Sequence, residues 1–350
     1  MSRLTYAEAG VNIDAADQTK KGMAEVVALG SSRVLNRVGA FASLFDIHFP
    51  DMKRPVLVCK TEEPGSKQKL SISRGKVEDI CYDMINHLTN DILVMGARPL
   101  AVQDAIICGK FEPDIVSRLV RGIAAACRDN GSVLTGGETS EQPNVVDAGV
   151  YILTSSIIGV VEKHEIIDGA GIEPGDAVIV LASNGVHTNG YSFLRRMMAD
   201  APGIIERQIA GESFMDAILR PHKSYYTCLH TLFDSPLKND LRGMAHITGG
   251  GIAGNLNRIL PDGLDAEIDL SQLRILPIFD FIKKTTDADD MELLKTFNMG
   301  AGMTVVVPVA AADKFIGHFQ AHGAEAYVSG RIVGGGTKKV RYIGKINYLR

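Results

Sequence analysis

In Leu134-Thr135-Gly136-Gly137-Glu138-Thr139-Ser140-Glu141, a glycine pair is followed at once by one carboxylate and three residues later by another. Glycines let backbone N–H groups approach phosphate oxygens, and a carboxylate supplies the hard oxygen that Mg²⁺ prefers. A nucleotide with its metal fits this pattern, and so does a tight Gly-Gly turn carrying solvated acids. Three further stretches hold comparable chemistry. Lys60 to Leu70 mixes Glu62 and Glu63 with Pro64-Gly65-Ser66 and the lysines Lys60, Lys67 and Lys69. Ser183 to Gly190 offers His187 as a proton handler and Asn189 as an amide donor or acceptor. His246-Ile247-Thr248-Gly249-Gly250-Gly251 sets three glycines at a helix entrance, where phosphate is the first candidate ligand. Neither a P-loop nor a Rossmann glycine fingerprint is present.

Alternating strands and helices must position these groups. Pro55–Cys59 has strand length and composition, and the charged stretch after it reads as a loop at the strand end. Ile80, Met84, Ile85, Leu88, Ile92 and Leu93 recur at helical spacing, with Asn90 and Asp91 near the end of that helix. Asp83 and Asp91 lie eight residues apart, so they return to nearly the same helical angle two turns on. Leu100–Cys108 reads as a strand with Asp104 inside it, a costly position unless the acid faces solvent, pairs or binds a ligand. Pro113 opens and Asn130-Gly131 closes a second helix. Strands follow at Ser132–Leu134 and Val150–Val161. A helix capped by Asp17 and running through Met23, Val26, Val27 and Leu29 is predicted in the N-terminal arm. The Gly- and Pro-rich passage Asp168–Asp176 marks a boundary, giving domains 1–168 and 169–350.

A chain of 350 residues with 45% hydrophobic and 22% charged composition predicts a globular α/β protein of two domains. The net charge of −4 gives no global attraction to nucleic acid or anionic membrane. Five widely spaced cysteines without a C-x-x-C pair read as small buried hydrophobes of a reducing compartment. With no apolar leader and no run of membrane-spanning length, a cytoplasmic location is expected.

Taken in order, YAEAGVNID, GSKQKL, NDILVMGARPL, GGETSEQP, EIIDGAGIEPGD, SNGVHTNGYS, RPHKSYY, HITGGG and FNMGAGM resemble the motifs of the phosphoribosylformylglycinamidine cyclo-ligase (aminoimidazole ribonucleotide synthetase) family over nearly the whole chain. That resemblance implies an α/β (α+β) fold of two domains and a homodimer in which N-terminal strands build a barrel. It also implies ATP- and Mg²⁺-dependent ring closure of formylglycinamidine ribonucleotide in purine biosynthesis, with no nucleic-acid or membrane partner. Carried over by position, cofactor contacts fall to Glu62, Gly65, Ser66, Lys67, Asn90, Asp104, Gly136, Gly137 and Glu138, and metal ligation to Asp83, Asp91 and Glu138. Substrate contacts fall to His187, Asn189, His246, Thr248, Gly249, Gly250 and Gly251, and catalytic roles to Lys67, Asp91 and His187.

Where this family usually reads TDGVGTK, the chain has Thr61-Glu62-Glu63-Pro64-Gly65-Ser66-Lys67, so Glu62 and Glu63 add a methylene and a charge, and Pro64 removes an N–H donor. Asn12, Ala40, Ala42 and Asn144 also depart from the usual pattern. The altered loop motivates a second expectation, a divergent non-catalytic ligand-binding or regulatory paralogue. Related selenophosphate synthetases usually carry an N-terminal cysteine and hydrogenase-maturation proteins a C-terminal one. Here the first cysteine is Cys59 and the last residues are Asn347-Tyr348-Leu349-Arg350.

Overall fold

The computed structural model describes residue 27, residues 31–36 and residues 40–349. The predicted N-terminal helix lies outside them except for Val27, which stands in a turn. The chain divides into two compact units, one reaching to Ile92 and resuming over Ala97–His164, the other comprising Leu93–Gly96 and Glu165–Arg350.

The first unit contains β1 (Pro55–Glu62), α1 (Lys67–Ser73), α2 (Val77–Leu93), β2 (Arg98–Cys108), α3 (Pro113–Asp129), β3 (Val133–Glu141) and β4 (Tyr151–Glu162). Its sheet has the order β1-β4-β2-β3. Strands β2 and β3 run parallel, which requires a crossover, and α3 supplies it. Pro113 at the first turn, where its missing N–H costs nothing, starts α3; Asn130 and Gly131, the latter at φ 69°, stop it. Helix α2 buries Ile80, Met84, Ile85, Leu88 and Ile92, and α3 buries Val116, Leu119 and Ile123. Each such side chain contributes about 1.5–3 kcal/mol relative to exposure.

Lys67 lies in α1, so the charged stretch after β1 is not the loop that its composition suggests. The glycine pair is likewise no turn: β3 continues through Gly136 and Gly137 to Glu141. The irregularity falls one residue earlier, because Val102 pairs with Leu134 and Gln103 with Gly136, leaving Thr135 as a bulge.

The second unit contains β5 (Ala177–Ala182), α4 (Tyr191–Asp200), a small hairpin of β6 (Gln208–Ile209) and β7 (Glu212–Ser213), α5 (Phe214–Leu219), α6 (Tyr226–Phe233), β8 (Gly243–His246), α7 (Gly251–Leu256), β9 (Leu264–Asp269), α8 (Pro277–Thr286), α9 (Asp290–Thr296), β10 (Ala301–Val307), α10 (Ala312–Ala321), β11 (Ala326–Gly334) and β12 (Val340–Ile343). The main sheet has the order β12-β9-β11-β5-β10-β8 and is antiparallel except for β12 against β9. Ile179 and Leu181 of β5, Met303 and Val305 of β10, Leu229 and Leu232 of α6, and Phe315 and Phe319 of α10 share one core. Among the described residues, no helix is long and apolar enough to cross a membrane.

Candidate functional site

In the first unit the strand register aligns Glu62 of β1 with Ser155 of β4, Ser155 with Asp104 of β2, and Asp104 with Gly137 of β3. Side chains in one transverse row share a sheet face. Lys60 is two residues before Glu62 on the same face, and Ile92 of α2 packs beside Gly159 there. Residues distant in sequence are thus collected under α2.

Lys60 Nζ lies 2.9 Å from Glu62 Oε2 and 3.1 Å from Asp91 Oδ2. His87, one turn before Asp91, brings Nε2 within 3.7 Å of Asp91 and 3.9 Å of Glu62. Partial burial opposes the charge on Lys60, but hydrogen bonding to Glu62 and the Asp91 carboxylate outweigh it and raise its pKa. An ammonium held by two carboxylates occupies the kind of place a hard cation takes, and the oxygen donors suit Mg²⁺. Lys60 belongs to the charged stretch the sequence singles out, whereas His87 does not stand out there, although its i,i+4 helix spacing to Asp91 carries the signal.

Asp83, Asp91 and Glu138 are not brought together as one ligand set. Eight residues along a helix advance about 12 Å, so a shared angle does not place Asp83 beside Asp91. Asp83 instead accepts from Lys67 Nζ at 2.7 Å, and neither side chain has any solvent exposure. Burial lowers the Lys67 pKa, with the Asp83 charge opposing that shift. Glu138 pairs with Ala105, so strand alternation puts it on the sheet face opposite Asp104 and Glu62, where it is exposed and accepts from Thr139 N–H at 3.0 Å.

Asp104 explains one glycine. A Cβ on Gly137 would fall 1.9 Å from Asp104 Oδ1, so the carboxyl group occupies the space of the missing side chain. Burial pushes the Asp104 pKa up to about 7, only partly opposed by a backbone hydrogen bond. Gly65 takes φ 60° in the turn before α1, Ser66 stands at that helix's N-terminus, and Asn90 is fully buried on α2.

In the second unit, the segment from β5 to α4 holds His187, buried and at φ 59°. A non-glycine residue in that conformation stores strain of order 1 kcal/mol and is held there by its surroundings. His187 Nε2 is 3.1 Å from Asn184 Oδ1, and Asn184 Nδ2 donates to Pro221 C=O at 3.0 Å. The His187 ring stacks on His222 with centroids 3.9 Å apart, and His222 Nε2 is 2.9 Å from His246 Nε2 at the end of β8. His222 carried no periodic signal in the sequence; only the fold brings it to the other two.

The glycine-rich segment is fixed by Asn255, another residue the sequence did not single out. Its Nδ2 donates to Gly249 C=O at 3.2 Å and Gly251 C=O at 2.8 Å, while Thr248 Oγ1 donates to its Oδ1 at 3.3 Å. A Cβ on Gly251 would fall 1.8 Å from Leu294 O, so packing against α9 itself demands glycine there. Asn189 Oδ1 lies 3.4 Å from where a Gly249 Cβ would be, which makes those two residues neighbours. Asn298 similarly clasps the β5 exit, accepting from Ser183 Oγ at 2.9 Å and donating to Gly185 C=O at 2.9 Å.

Residues 51–161 match the N-terminal domain of AIR synthase related proteins and residues 173–343 match their C-terminal domain. The chain is 38% identical over 334 residues to the phosphoribosylformylglycinamidine cyclo-ligase of Nitrosococcus oceani, covering 95% of this chain and 92% of that protein. It is 39% identical over 335 residues to the protein of the same name from Methylobacillus flagellatus, covering 94% of each. Among solved structures, thiamine-monophosphate kinase from Stenotrophomonas maltophilia has a TM-score of 0.67 at 17% identity, covering 95% of this chain and 97% of that one. The hydrogenase maturation protein HypE in complex with ATP has a TM-score of 0.63 at 17% identity, covering 92% and 91%. These structures share the fold.

Proposed function

The chain belongs to the AIR synthase related protein family, and from that premise we propose that it closes the imidazole ring of formylglycinamidine ribonucleotide to give 5-aminoimidazole ribonucleotide, ADP and phosphate. The observation that carries this reading is identity of 38% extending over 95% of the chain to a curated phosphoribosylformylglycinamidine cyclo-ligase. Ring closure of this kind needs an activated formamide oxygen, which ATP supplies by phosphoryl transfer before a nitrogen attacks the carbon and phosphate leaves.

In the first unit, Asp91 and Glu62 would hold Mg²⁺ through their carboxylate oxygens, with Lys60 beside them. Mg²⁺ supplies charge neutralisation for the triphosphate. Lys60 would stabilise negative charge on the transferring group, and Asp104 and the backbone of Gly136 and Gly137 would contact the nucleotide. The Lys67–Asp83 pair fixes α1 against α2 and positions Gly65, Ser66 and Asn90. Glu62 fits this role despite its extra methylene because Lys60 already bridges its carboxylate to that of Asp91. In the second unit, Asn189 and Thr248 bind the ribonucleotide, with Gly249 to Gly251 against its phosphate and His187 and His246 lining the same region.

The exposed side chains Leu57, Cys59, Ile152 and Ile158 lie on the sheet face opposite Glu62 and Asp104. We assign that face to a homodimer, since β-rich surfaces of this character are covered by association. A reducing cytoplasm is the compartment that suits the thiols.

Purified chain incubated with formylglycinamidine ribonucleotide, ATP and Mg²⁺ should release phosphate and form the aminoimidazole in equal amounts. Asp91→Asn should reduce that rate by at least about tenfold, the loss expected for one charge-assisted contact. Phosphate without imidazole, or neither from a folded protein, would refute the assignment.

A further inference from the structure

His187, His222 and His246 each place a ring nitrogen so that the three ligand atoms lie within 4.8 Å of one another, and all three residues are buried. They come from the β5–α4 segment, the stretch between α5 and α6, and the last residue of β8. We propose that these three imidazoles form a binding site for a divalent transition-metal ion of the Zn²⁺ class, distinct in its chemistry from the oxygen ligands assigned to Mg²⁺.

The donor set selects the ion. Imidazole nitrogen suits zinc and its neighbours, whereas Mg²⁺ requires oxygen and surrenders its water reluctantly. Zinc sits about 2.0–2.1 Å from each imidazole nitrogen, so two ligating nitrogens stand roughly 3–4 Å apart. The His222 and His246 nitrogens are already 2.9 Å apart, and the ring of His187 stacks directly on His222. Ligation requires the His187 ring to turn out of its stack on His222, since imidazole lone pairs lie in the ring plane.

Support for the ligands is also in place. His187 Nε2 is held by Asn184 Oδ1 at 3.1 Å, and the Asn184 amide is oriented in turn by Pro221 C=O at 3.0 Å. Such outer contacts fix the ring orientation of ligating histidines. Three protein nitrogens would leave the ion's fourth position to another ligand, the arrangement found where zinc meets a substrate and not where it only braces a fold. The strained backbone of His187 holds one ligand in a conformation that local preference opposes.

The test is titration of the chelator-stripped full chain with Zn²⁺ against a chromophoric competitor, alongside Co²⁺ followed by visible absorption. One ion per chain is expected, with a Co²⁺ spectrum typical of low-coordinate nitrogen ligation and no displacement by excess Mg²⁺. His222→Gln should weaken affinity by more than about tenfold, the lower bound for losing even an outer-shell partner of a ligand. His318→Gln, altering a ring that faces Cys228 C=O, should leave affinity unchanged. Circular dichroism verifies that each variant is folded; if His222→Gln does not fold, the imidazole NMR signals of the parent chain with and without Zn²⁺ decide in its place, since ligation must shift three of them. Binding indifferent to His222→Gln, thiolate charge-transfer bands pointing to a cysteine such as exposed Cys59, or no uptake at micromolar Zn²⁺ would each overturn the proposal.

Discussion

Lys67 and Asp83 form an ion pair of 2.7 Å in which neither side chain reaches solvent. Removing charges from water costs several kcal/mol each, so such a pair holds only while both partners remain. Lys67→Met and Asp83→Asn should each destabilise the chain by about 3–5 kcal/mol, because each strands a buried polar group. The double variant Lys67→Met/Asp83→Asn, which strands no buried charge, should lose less than the sum of the two single variants. Urea unfolding of the four proteins measures the coupling; additive losses would show that the pair does not act as a unit.

Asp104 gives a pH signature. Its folded-state pKa of about 7 lies above the ordinary value of 3.8, so between those limits the native chain retains a proton that the unfolded chain has lost. Stability therefore falls as pH rises from about 4 to about 7, by a few kcal/mol in total, and this contribution is level outside that window. In Asp104→Asn the decline should be absent. Unfolding midpoints of the two proteins compared across this range test it, and parallel curves would contradict it.

The contact between Asp104 and Gly137 makes a separate forecast. Gly137→Ala inserts a carbon 1.9 Å from Asp104 Oδ1 and should cost about 1–3 kcal/mol through overpacking. Asp104→Ala removes the carboxyl group but leaves the Asp104 C=O 2.4 Å from the same position, so Gly137→Ala should be only partly relieved in that background. Thermal unfolding of the double-mutant cycle reads the difference directly.

Leu57 is 52% exposed on the face assigned to self-association. A lysine placed at the centre of an apolar contact loses hydration without gaining a partner. Leu57→Lys should therefore convert dimer to monomer in sedimentation velocity while leaving circular dichroism unchanged; a parent chain that sediments as a monomer would remove the assignment.

The amino-acid sequence by itself determined the alternation of elements and much of their extent. The apolar spacing of Ile80 to Leu93 yields α2, Pro113 and Asn130-Gly131 bound α3, and the β-branched run after Val150 yields β4, because periodicity and capping act among near neighbours. The ordered motifs also made the family legible. Sequence did not reveal that the glycine pair stays inside a strand, since that rests on pairing with β2, whose Asp104 side chain and C=O fill the space beside Gly137. Nor did it separate Asp83 from Asp91 or Glu138 from Glu62. Helical angle says nothing of the axial rise between two residues, and strand alternation becomes a choice of face only once the register is known. The three histidines make the same point, because β5, the α5–α6 connection and β8 converge through sheet pairing and core burial, which no spacing between residues 187, 222 and 246 records.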